Sequence, residues 1–132
     1  MSKRTPKTVP RFQTPIIETH CHLDYLAQDT IADELHAITE AGVERIVTIA
    51  VSADNLKTVL SLCNQHEHIW GTQGIHPHEA SSWTPSVAQA VAQGASHPKV
   101  VAIGEIGLDY YYEHASTQSQ IAAFEAQLSL AA

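Results

Sequence analysis

Residues 16–24 read Ile16-Ile17-Glu18-Thr19-His20-Cys21-His22-Leu23-Asp24, two apolar residues leading into a His-x-His pair and then polar chain. In a strand, successive side chains alternate faces, so His20 and His22 point the same way and Cys21 points the opposite way. Two neutral imidazoles on one face, at the end of a buried strand, can converge on a single cation. A His-x-His by itself is modest evidence. A second stretch adds to it: in Val100-Val101-Ala102-Ile103-Gly104-Glu105-Ile106-Gly107-Leu108-Asp109-Tyr110-Tyr111 an apolar run again ends in a carboxylate.

Working outward from these stretches, the chain alternates strand and helix. Residues 1–14 read as a flexible basic arm. After the first strand, Asp29-Thr30 caps a helix to about Ala41, with Ile31, Leu35 and Ile38 on one side and Gly42 as its stop. Val43–Val51 is a second buried strand. Ser52 or Asp54 then caps a helix bearing Leu56, Val59, Leu60 and Cys63. Ile69–Gly74 is a short third strand, followed by the loop Ile75-His76-Pro77-His78. A third helix begins at Pro85, where a missing N–H does no harm, and runs to about Gln93. Val100–Ile103 is the fourth strand, and a fourth helix from Thr117 carries Ile121, Phe124, Leu128 and Leu130.

Four such units imply an α/β fold with a parallel sheet and right-handed crossovers. In such sheets ligand-binding residues gather at the carboxyl ends of the strands. His20/His22, Asp54, His76/His78 and Glu105/Asp109 fall at those ends, one set per unit. That coincidence outweighs any single motif.

Composition limits the partners. The 132 residues fit one domain, and the net charge of -7 conceals an asymmetry. Lys3, Arg4, Lys7 and Arg11 precede every acid, whereas after residue 12 only Arg45, Lys57 and Lys99 face fourteen acids. Such a body grips phosphates poorly unless cations, or other parts of the protein, offset the repulsion. Cys21 and Cys63 read as free thiols in a reducing compartment. The first residues lack an apolar leader core and no stretch approaches a membrane span, so the expectation is a cytoplasmic protein with no membrane partner.

Three motifs carry a resemblance: Glu18-Thr19-His20-Cys21-His22-Leu23-Asp24, Gly74-Ile75-His76-Pro77-His78, and Gly104-Glu105-Ile106-Gly107-Leu108-Asp109-Tyr110-Tyr111. Together they resemble the TatD family of metal-dependent deoxyribonucleases, in the amidohydrolase-like TIM-barrel group, from residue 16 to the last residue. The resemblance implies that His20, His22 and Glu105 are ligands of a divalent metal (zinc, magnesium, manganese or cobalt), with Glu105 bridging two ions and acting in catalysis. It places His76 beside substrate phosphate or metal-bound water. Asp109 and Tyr110 shape a loop, and His78 either supports the site from behind or serves the fold; His76, His78 and Asp109 thus belong to substrate binding or to support of the ligands.

The resemblance further implies a complete eight-stranded barrel of roughly twice this length. Residues 15–132 would be its amino-terminal part, about four of eight units, a half barrel without the later ligands, two histidines and an aspartate. DNA is the expected substrate, cleaved at phosphodiester bonds with one or two metals. This chain alone is expected to be weakly active or inactive. Open strand edges predict association with itself or with a missing carboxyl-terminal half. Competing readings are a related metal hydrolase on another ester or amide, and a non-catalytic fragment or split-barrel subunit.

The remaining candidates have plainer readings. Strand alternation turns Cys21 from the histidine face, and Cys63 reads as a small apolar helix residue. His36, His66, His68, His97 and His114 lie outside the strand-end motifs. Tyr110–Tyr112 can stack on bases, but the expectation is that they pack under the fourth loop.

Overall fold

In the computed structural model, which describes residues 10–132, four strands form one parallel sheet in the order β1-β2-β3-β4. The strands are β1 (Ile16–Cys21), β2 (Val43–Thr48), β3 (Ile69–Gln73) and β4 (Val100–Ile103). Helices α1 (Ile31–Glu40), α2 (Leu56–Gln65) and α3 (Pro85–Ala95) make the crossovers, and α4 (Thr117–Ala131) follows β4. The order never reverses. An open doubly wound sheet turns back at a switch point, whereas sequential parallel strands curl in one direction toward a barrel. The expected α/β architecture of four consecutive TIM-barrel units is therefore what the chain forms. The arm expected over residues 1–14 lies mostly outside the described residues.

The core lies between sheet and helices. Ile31 of α1, Val59 and Leu62 of α2, and Val91 of α3 pack with Ile46 of β2 and Ile69 of β3. Burying each such side chain stabilises by about 2–3 kcal/mol. Helix α2 approaches β3 closely at Gly71, where an added Cβ would sit 2.6 Å from Val59 Cγ1 and 2.9 Å from Cys63 Sγ. Lys99 terminates α2 from outside: its Nζ donates to the carbonyls of Cys63 (2.7 Å) and His66 (2.6 Å), a cation on the negative end of the helix. Near the two ends of the sheet Ile17 of β1 and Val101 of β4 are 54% and 55% exposed, and the outer edges of β1 and β4 have no strand partner among the described residues.

Three local expectations shift. Asn55, not Ser52 or Asp54, precedes α2, and its Oδ1 accepts from the backbone N–H groups of Val51 and Ser52. The second strand stops at Thr48 rather than Val51. On α4 the buried residues are Gln120, Ala123 and Gln127, whereas Ile121, Leu128 and Leu130 are exposed. The two glutamines earn that position by hydrogen bonding: Gln127 accepts from Ile75 N–H (2.7 Å) and donates to Ile75 C=O (3.1 Å), fixing the segment before His76. Gln120 accepts from Asp109 N–H (2.7 Å) and donates to Asp109 C=O (2.8 Å).

Candidate metal centre

The carboxyl ends of the strands are laced together by their backbones. Ile49 N–H donates to Cys21 C=O (2.9 Å), joining β2 to the end of β1, and His76 N–H donates to Val51 C=O (2.8 Å). Beyond β4 the chain leans across β3: Glu105 N–H donates to Ala50 C=O at 2.8 Å. Gly74 makes room for this crossing, since a Cβ there would stand 2.6–2.8 Å from the backbone atoms of Gly104. Glu105, from the fourth unit, is thereby carried toward the histidines of the first.

His20, His22 and Glu105 each offer one donor atom, and those atoms lie within 4.8 Å of one another. His20 Nε2 is 3.3 Å from Glu105 Oε2. Two ligands on one ion, each at about 2.1 Å and subtending 90–109°, stand about 3.0–3.4 Å apart. His22 Nδ1 is buried with no hydrogen-bond partner, a nitrogen uncommitted within the protein. Two imidazoles and a carboxylate, without thiolate, suit a divalent ion of intermediate or hard character. The residues present fit such an ion.

His76 approaches the same carboxylate from the other side, with Nε2 3.5 Å from Glu105 Oε1. Its Nδ1 accepts from His78 N–H at 3.0 Å, so in the neutral ring Nε2 carries the proton and faces the cleft as a donor. Burial holds the His76 pKa below the ordinary imidazole value, with Glu105 opposing. His78 Nε2 lies 2.7 Å from Asp109 Oδ2, and this hydrogen bond is the main reason the Asp109 carboxyl sits below the usual range. Asp109 Oδ1 also accepts from the N–H groups of Tyr111 (3.0 Å) and Tyr112 (3.1 Å).

His20, His22, His76, His78 and Glu105 thus share one cleft of about 310 Å³, whose wall also includes Tyr25, Val51 and Glu79. Asp109 stands behind His78 rather than in the wall. Asp54 is exposed and does not line the cleft; Val51 holds the place of the second unit. Cys21 packs against the helix-side core, and burial, reinforced by Glu18 and Asp24, pushes its thiol up to about 11, so it stays protonated at neutral pH. Tyr110–Tyr112 lie on the surface rather than under the loop.

Sequence reading passed over Tyr25, which stacks on His22 (centroids 5.1 Å apart, 19° between planes), and Gln120 and Gln127. The signal for the glutamines was there: residues 120, 123 and 127 share one helical face.

Donors that could hold a cation, set at the carboxyl rim of consecutive parallel βα units, are the arrangement of an α/β-barrel type of protein. The family described as TatD related DNase matches residues 17–132, and the chain belongs to that family. Similar proteins include the 3'-5' ssDNA/RNA exonuclease TatD of Salmonella typhimurium, 39% identical over 92 residues that cover 70% of this chain and 35% of that protein. The protein of the same name from Musicola paradisiaca is 52% identical over 65 residues, 49% of this chain and 25% of that one. Among solved structures, the TatD homologue YJJV of Escherichia coli superposes with a TM-score of 0.74 at 30% identity, covering 87% of this chain and 46% of that one. A TatD family hydrolase of Entamoeba histolytica shares the fold, with a TM-score of 0.79 at 20% identity, covering 89% and 46%. The matched stretch covers about a third of the length of these curated relatives.

Proposed function

We propose that this chain carries the first metal-binding half of a TatD-type nuclease, which hydrolyses phosphodiester bonds in DNA. The observation that supports this best is the convergence of the His20, His22 and Glu105 donors within 4.8 Å at the rim of a cleft. Those three residues would hold a divalent ion, whose chemistry is to lower the pKa of water and to neutralise charge on a phosphoryl group. Around it the protein's own groups have separate tasks. Glu105 presents one carboxylate oxygen toward His20 and the other toward His76. The Nε2–H of His76 is placed to donate to a phosphoryl oxygen or to a water. His78, tied to Asp109 through Nε2, fixes His76 by donating its backbone N–H to Nδ1.

Three donors fill part of a tetrahedral or octahedral shell, so slow cleavage or none is expected of the 132-residue chain alone. No helix among the described residues is long and apolar enough to cross a membrane; a cytoplasmic setting is part of this reading. The open edges of β1 and β4 support association with a second copy or with further strands. Titration calorimetry with zinc and manganese tests the site. One ion per chain is expected, bound at least tenfold more weakly by Glu105→Gln. Equal affinity in the variant, or no binding by the native chain, would remove the basis of the reading.

A further inference from the structure

All four tyrosines of the chain stand in the two loops beside the cleft, and all face solvent: Tyr25 is 71% exposed, Tyr110 52%, Tyr111 85% and Tyr112 62%. Isolated exposed aromatics are ordinary. These are neither isolated nor loosely held. Tyr112 meets Tyr111 edge-on at 4.8 Å, lies parallel to His114 at 6.1 Å, and meets His78 of the cleft wall edge-on at 5.7 Å. On the first loop Tyr25 lies parallel on His22, with its remaining surface open. The 107–114 segment that carries the second group is pinned by Asp109, by the buried Gln120, and by the turn at Glu113, whose φ of 47° is left-handed. Flat rings are therefore presented outward on braced backbone, on loops that also supply cleft residues.

The charge balance says what such rings would contact. Beyond residue 12 there are three basic residues against fourteen acidic ones, and one of the three, Lys99, is spent on α2. Glu79 and Glu113 sit in the cleft wall and in the tyrosine loop. Among the described residues no lysine or arginine lines this rim, so beyond the His76 contact a nucleic acid held here is held chiefly through its bases. Base faces are accessible in single strands and hidden in a duplex.

We propose that Tyr25 and the Tyr111–Tyr112 pair form a base-stacking platform that seats single-stranded nucleic acid beside the metal cleft. This rests on the nuclease reading for its substrate class, but not on a bound metal for its affinity. The probe is a hexanucleotide of single-stranded DNA carrying 2-aminopurine, titrated in EDTA, with metal binding measured calorimetrically on the same preparations and folding checked by circular dichroism.

Stacking quenches 2-aminopurine, and each Tyr→Leu change is expected to weaken binding about tenfold. Tyr→Phe changes should leave affinity within twofold, because the ring and not the hydroxyl is used. Affinity should change little with salt. A slope near -3 in log affinity against log salt, the value for about four neutralised phosphates, would assign binding to Lys3, Arg4, Lys7 and Arg11 and overturn the platform. Leucine variants that bind like the native chain, a blunt duplex bound as tightly as the single strand, or no binding at all would overturn it too. Any of these with metal binding intact leaves the nuclease reading standing; loss of metal binding with quenching intact does the reverse.

Discussion

Substituting Gly74 by alanine should perturb the proposed metal centre without touching one of its candidate ligands. The new Cβ would lie 2.6 Å from Gly104 C, 2.7 Å from its O and 2.8 Å from its N, all backbone atoms that no rotamer change can move aside. Ordinary contact between carbons begins near about 3.5 Å, so relief requires a displacement of about 0.8 Å. Overpacking of this kind costs about 1–3 kcal/mol. The same displacement stretches the 2.8 Å bond from Glu105 N–H to Ala50 C=O beyond useful range, adding about 1 kcal/mol. A total of about 2–4 kcal/mol lowers the melting temperature by about 10 °C. Donor sets tolerate errors of about 0.5 Å, so divalent-ion affinity should fall about 10–100-fold. Gly104→Ala is the control, since a Cβ there meets nothing within 4 Å. Thermal melts and calorimetric titration of both variants decide it. A Gly74→Ala protein that melts and binds like the native chain refutes the crossing of Glu105 over β3 as the device that assembles the site.

Gln127→Leu should leave both polar groups of Ile75 unpaired in a buried place, costing about 2–4 kcal/mol; urea denaturation should show a midpoint lower by about 1–2 M. Asp109 has a depressed carboxyl pKa in the folded protein, so its stabilisation is present above about pH 3.8 and is lost as pH falls through the lower folded value. Asp109→Asn should therefore melt below the native chain at pH 6 and approach it as pH falls through the lowered value of the Asp109 carboxyl. Sedimentation velocity should find the chain associated through its open edges; a stable monomer at micromolar concentration contradicts this.

The fold was legible because its signals are local and repeated. Four apolar runs at similar spacing, each followed by a helical period, leave little freedom once parallel strands demand crossovers. The motif positions of His20, His22, His76 and Glu105 could be read for the same reason. What could not be read depends on where backbones cross. Nothing in the composition of Gly74-Ile75-His76 says that Gly104 passes over it, and Gln120 and Gln127 look like surface residues until their partners are seen. Helix α4 misled because Ile121, Leu128 and Leu130 follow an apolar pattern, while the face that packs is defined by amides reaching for loop backbone. Asp54 was placed by spacing alone, and spacing cannot tell a side chain aimed at a cleft from one in solvent.

The bridge from Glu105 to Ala50 has a bearing on how the protein comes into being. His20 and His22 leave the ribosome more than eighty residues before Glu105, and all four βα units must be in place for the donors to meet. On the proposed reading, a divalent ion would not nucleate the nascent chain as it does a zinc finger; it would fasten what has already assembled. Occupancy of the pocket is in that sense a certificate of completed assembly, issued last.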